Sequence, residues 1–105
     1  MSSLCTTPPP PYYAVIFTSL RSEGDNGYQD TAMRMAALAT EQPGFLGMDS
    51  ARQETGIFVS YWSSLEAIQA WRNNLEHRQA QAQGKLWYRA YTVRICRVER
   101  EYSGP

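Results

Sequence analysis

Residues 12–20 read YYAVIFTSL, with apolar or aromatic side chains on both alternating sets of positions. A strand greasy on both sides belongs where both sides are buried, so the spacing predicts a central strand. Next comes a polar stretch, Glu23-Gly24-Asp25-Asn26-Gly27, that signals a turn and a helix start. Over 28–42, Ala32, Met35, Ala36 and Ala39 recur at helical spacing until Pro43-Gly44 stops them. Two short strand candidates, 45–52 and 57–62, flank Gln53-Glu54-Thr55-Gly56, a polar connection suited to an antiparallel hairpin. Ser63 and Glu66 then stand three apart, the spacing of a capping box, and Leu65, Ile68, Trp71 or the stem of Arg72, and Leu75 form one apolar stripe behind them. Asn73-Asn74 predicts a break before a second helical piece, 76–85, stopped near Gly84. In the last candidate strand, 87–102, Val93 and Ile95 share one parity while Cys96 and Val98 share the other, which predicts a bulge near Ile95-Cys96.

The resulting order, β-α-β-β-α-β, is the ferredoxin-like α+β arrangement: an antiparallel four-stranded sheet with two helices on one face. Residues 12–102 form one domain in this reading. Residues 1–11, MSSLCTTPPPP, form a flexible proline-rich tail that favours extended polyproline geometry.

Two helices cover one sheet face, yet the first strand offers Tyr13, Val15 and Phe17 on one side and Ala14, Ile16 and Leu20 on the other. At about 25 cal/mol per Å² of apolar area, a wet face of several hundred Å² forfeits on the order of 10 kcal/mol, comparable with the whole stability of a small domain. A second copy packing sheet to sheet supplies the cover economically, because one patch serves both partners under two-fold symmetry. The expectation is a homodimer.

Charge removes other classes of partner. The chain has 105 residues with 10 Lys+Arg against 10 Asp+Glu. Without a basic block it lacks the attraction to phosphate on which binding to nucleic acid or to an anionic membrane depends. No apolar stretch is long enough to span a bilayer and no secretory pattern opens the chain, so a cytoplasmic location is expected. Cys5 and Cys96 form no metal or redox motif and read as reduced thiols. Phosphate-cradling glycine loops, a nucleophile elbow and paired histidines at metal spacing are missing from the sequence, so neither metal nor nucleotide cofactor is expected.

The chemistry-bearing candidates lie in the second half, where Trp62, Trp71, Trp87, Tyr88 and Tyr91 accompany the single histidine, His77. Such a group lines a pocket or simply fills a core. His77 shares its helical face with Ala80 and Gly84, small enough for a molecule to approach, and its imidazole titrates near neutrality. It serves as a general base or hydrogen-bond donor, or else is an ordinary helix residue. Arg94, inside an apolar strand, faces water or meets an anion, and water is the favoured reading.

Pro43-Gly44-Phe45-Leu46-Gly47, followed by residues 59–71, VSYWSSLEAIQAW, resembles the antibiotic biosynthesis monooxygenase domain family. A Pro-Gly-Phe after the first helix, a strand ending in Trp-x-Ser, an acidic helix start and a second Trp nine positions after the first carry the likeness. The resemblance covers residues 12–102. It implies a dimeric α/β barrel with a pocket between each sheet and its own helices. It also implies a cofactor-independent monooxygenase acting on an apolar or aromatic, quinol-like small molecule. His77 is then the candidate catalytic residue, and Trp71, Trp87 and Tyr91 are candidates for binding substrate. A non-catalytic ligand-binding or accessory dimer is the alternative. Haem degradation is less favoured: Trp71 matches that branch's second Trp, but its histidine iron ligand ten positions later is Gln81 here, and the first-strand asparagine has no counterpart in 13–20.

Sedimentation at micromolar concentration is expected to give a dimer, and a monomer there refutes the expectation.

Overall fold

The structure, a computed structural model, describes residues 3–105, with Leu75 described in its backbone alone. Four strands and four helical segments follow in order: β1 (Tyr12–Arg21), α1 (Tyr28–Thr40), β2 (Phe45–Arg52), β3 (Thr55–Trp62), α2 (Leu65–Arg72), α3 (Leu75–Gln81), the one-turn α4 (Gly84–Trp87) and β4 (Tyr88–Val98). The sheet order is β2-β3-β1-β4, antiparallel throughout, with the doubly apolar β1 in the interior as its composition demands. This is the ferredoxin-like topology. No helix among the described residues is long and apolar enough to cross a membrane.

The second helical region breaks where the two asparagines fall. Asn73 is the C-cap of α2, and Asn74 caps α3 by accepting from the backbone N–H groups of Glu76 at 3.0 Å and His77 at 3.3 Å. Other local details depart from the sequence pattern. Ser64 rather than Ser63 caps α2, accepting from the Ala67 N–H at 3.0 Å, so the helix starts one residue late. Leu65 therefore occupies the first helical position and is 51% exposed, while Ile68 is buried. The expected place of the Leu75 side chain on that stripe lies outside the described residues. Gly84 opens α4 instead of ending α3, because the Gln83 carbonyl accepts from Leu86 and Trp87 and closes a separate turn.

The bulge also falls elsewhere. Pairing runs regularly through Val15↔Ile95 and Ala14↔Cys96, and the register shifts between Leu20 and Arg21, opposite Ala90 and Tyr88. No slip is needed at Ile95-Cys96, since β1 offers apolar neighbours on both of its faces. The shift leaves Arg89 without a partner in the register at the start of β4, where the strand bends into α4.

Register separates the two faces. Tyr13, Val15, Phe17 and Ser19 of β1 share the helix side with Phe58, Ser60 and Trp62 of β3 and with Tyr91, Val93 and Ile95 of β4. The core there centres on Trp62, which is 0% exposed. Its Nε1–H donates to the Ser60 hydroxyl at 2.9 Å, Phe45 meets its ring edge-on at 5.4 Å, and Trp71 of α2 stacks on it at 6.2 Å. The opposite face carries Ala14, Ile16, Val59, Ile57 and Tyr61, with exposed Arg94 across from Ile16. Residues 3–11 form no helix or strand and cover one corner of that face. Asp49 ties them down, accepting the Cys5 N–H and the Tyr61 hydroxyl, each at 3.0 Å, while the Cys5 thiol occupies the space a Cβ on Gly47 would need. Away from that corner, Ile57 is 47% exposed.

Gly44 fixes the approach of α2. At φ +86° its backbone suits glycine, and an added Cβ would lie 2.5 Å from the Ala67 Cβ and 2.8 Å from the Ser63 hydroxyl. Gly44→Ala is therefore expected to cost about 2–3 kcal/mol, read as a lower urea midpoint.

Candidate functional site

The α2–α3 corner places His77 against Trp71. Because Asn74 restarts the helix after a turn, the imidazole lies over the indole, ring centroids 4.2 Å apart and planes inclined by 18°. Its Nδ1 is 3.1 Å from the Trp71 carbonyl. A carbonyl only accepts, so this contact selects the tautomer with the proton on Nδ1 and leaves a lone pair on Nε2. No group among the described residues hydrogen-bonds Nε2. Burial lowers the His77 pKa below its ordinary 6.5, and the Arg72 charge adds to the effect, with the hydrogen bond to Trp71 opposing both. The imidazole is thus neutral at pH 7 and can accept a proton. Trp62, Trp71 and His77 together form a column running outward from the core.

A second aromatic group lies where β4 begins. Phe17 meets Tyr88 at 5.1 Å and Tyr91 at 5.5 Å, and Tyr28 meets Tyr88 at 5.7 Å and Trp87 at 5.9 Å, all edge to face. Trp87 is buried, its Nε1–H donating to the Asn26 carbonyl at 3.0 Å and its own carbonyl accepting the Arg21 Nε–H at 2.9 Å. Arg21 lies over the Tyr28 ring, 3.6 Å from its centroid. Burial pushes the Tyr88 phenol pKa up, helped by its hydrogen bond to Tyr28, so that hydroxyl stays protonated across the neutral range.

Beside the second group, between α3–α4 and the start of β4, lies a half-open surface cavity of about 540 Å³. Gln81, Ala82, Gly84 and Lys85 form its helical wall; Tyr88, Arg89, Ala90 and Tyr91 form its strand wall. Of the aromatics singled out by sequence, Tyr88 and Tyr91 line this cavity, and Tyr91, the one named as a substrate-binding candidate, is 60% exposed. Trp71 and His77 are brought together but stand outside its wall, and Trp87 lies behind Tyr88 in the core. The α3 helix links the parts, because Gln81 follows His77 by one turn, about 5.4 Å. Sequence reasoning missed Lys85, Arg89 and Gln81 as wall residues. Their polarity gave no signal, since only the α4 turn and the bulge bring them to one place.

Residues 11–83 match the profile of the antibiotic biosynthesis monooxygenase family. The chain belongs to that family. It is 52% identical over 104 residues to the uncharacterized protein YqjZ of Bacillus subtilis (strain 168), an alignment covering 96% of this chain and 91% of that protein. Solved structures of the same fold include Rv0793 from Mycobacterium tuberculosis, with a TM-score of 0.77, 15% identity, and coverage of 88% of this chain and 99% of that one. They also include SnoaB, a cofactor-independent oxygenase from Streptomyces nogalater, with a TM-score of 0.71, 12% identity, and coverage of 91% and 99%. These likenesses show the monooxygenase-family fold.

The depressed His77 pKa carries a sign. As pH falls below 6.5 the unfolded chain takes up a proton that the folded one resists, so stability declines until the folded imidazole itself protonates. NMR titration is expected to place His77 below 6.5, and Trp71→Ala is expected to move it upward by exposing the ring.

Proposed function

We propose that this chain is a cofactor-independent monooxygenase of an aromatic, quinol-like small molecule, acting as a cytoplasmic homodimer. The observation that carries the reading is the open surface cavity between α3–α4 and β4, with Tyr88 and Tyr91 in its wall. Its tyrosine wall offers ring edges and faces. One helical turn away stands His77, neutral and with Nε2 free among the described residues. Family membership and the likeness to SnoaB favour this chemistry over unrelated uses of the fold.

The reaction needs little from the protein. An electron-rich phenol or enol, once deprotonated, reduces dioxygen directly, so the protein must accept a proton, hold the ring system and limit water. His77 takes the proton on Nε2, and the Trp71 carbonyl steadies the imidazolium through Nδ1–H. When the enol has a keto tautomer with a ring methylene and that methylene is converted to a carbonyl, one oxygen atom enters the product and the other leaves as water with the two displaced hydrogens. The four electrons come from the substrate, so the balance closes without an external reductant.

A non-catalytic binding module is the second reading, favoured by the position of His77 outside the cavity wall. Oxygen uptake separates the two. With an accepted anthrone or quinol, His77→Ala is expected to lower the rate by about 10²-fold or more. The wild-type rate should fall as pH drops through the His77 pKa. An undiminished rate in the variant removes His77 from the mechanism.

A further inference from the structure

We infer that the cavity between α4 and β4 recognises an aromatic carboxylate, holding the ring on Tyr88 and Tyr91 and the carboxylate between Lys85 and Arg89. This rests on the reading of that cavity as the ligand site and adds the charge of the ligand to it. Both charged residues of the wall are cations. The chain as a whole has 10 Lys+Arg and 10 Asp+Glu, so the local sign does not reflect a general excess.

Two more cations stand behind the wall. Arg21 reaches over Tyr28, whose ring meets Tyr88 edge-on, and its guanidinium is held by the carbonyls of Trp87 and Gly24. Arg52 passes over the bare α-carbon of Gly56 to donate to the hydroxyl of buried Ser19, the register partner of Tyr91. None of the four is in an ion pair among the described residues, where the one salt bridge joins Arg34 to Glu76. Asp25, on the loop that Arg21 touches, is committed to its own backbone, accepting from Gly27 at 3.1 Å and Gln29 at 3.2 Å. The cavity wall is therefore a concave surface whose two charged side chains, Lys85 and Arg89, are both cations, with two rings to stack on. Such a surface concentrates a planar anion and disfavours a cation. The Arg89 fork suits the two oxygens of a carboxylate, and Lys85 supplies a point charge from the opposite wall.

Calorimetric titration of the full chain with 2-naphthoate and with 2-naphthamide, equal in shape and differing in charge, tests the inference. The acid is expected to bind about tenfold more tightly at low salt, with the gap narrowing as ionic strength rises. Replacing both wall cations, Lys85→Gln with Arg89→Gln, is expected to lower acid affinity to that of the amide and leave the amide unchanged. Arg94→Gln, removing an exposed cation on the other sheet face, should change neither. Equal affinity for acid and amide in the wild-type chain overturns the carboxylate inference while leaving the ligand cavity standing. Binding of neither probe overturns the inference together with the reading of the cavity on which it rests.

Discussion

The packing of α2 on the sheet is arranged around the indole of Trp62. It is buried on every side, satisfied at Nε1 by Ser60, edged by Phe45 and stacked by Trp71. Burying an aromatic of this size is among the largest single contributions a small core can make, so α2 settles where Trp71 completes that contact. The position of His77 follows, since its ring rests on Trp71. Core packing thus determines where a titratable group stands and which of its nitrogens is free.

The same anchoring has a consequence at the far side of the sheet. With α2 held over β3, the chain must return to β4 through two short helical pieces, and these leave the helix-side residues of β4 bare. Tyr91, Val93 and Ile95 form an exposed apolar strip, and the cavity opens at the end of it that Tyr91 occupies. On the opposite face the N-terminal tail supplies cover at the corner of Tyr12 and Asp49 and nowhere near Ile57. The bare strip therefore lies on the helix side of β4, while on the opposite face Tyr12 and Ala14 are buried and Ile57 stands exposed.

Periodicity made the fold legible because each element owes its type to its own residues. The alternation in β1, the Asn73-Asn74 break and the Pro43-Gly44 stop act within a few positions of themselves. Local detail failed where two elements had to be considered together. Apolar residues of both parities in β4 looked like a slip, but the partner strand accepts both, and the real irregularity sits at Arg89. The site was legible in part. The pairing of Trp71 with His77 follows from the Asn73-Asn74 break between them, and Tyr91 was one of the crowded aromatics. Lys85, Arg89 and Arg52 were not legible, because their meeting depends on a bulge, a one-turn helix and a glycine that lets a side chain cross the sheet.

Cover and site are coupled by their position. The strip on β4 is continuous with the cavity mouth through Tyr91, so any body that dries the strip also walls the mouth. Excluding water there strengthens every charge interaction inside, because the field of Lys85 and Arg89 is screened less in a closed space than in an open one. Ligand and cover then favour the same state, and by linkage each must tighten the other.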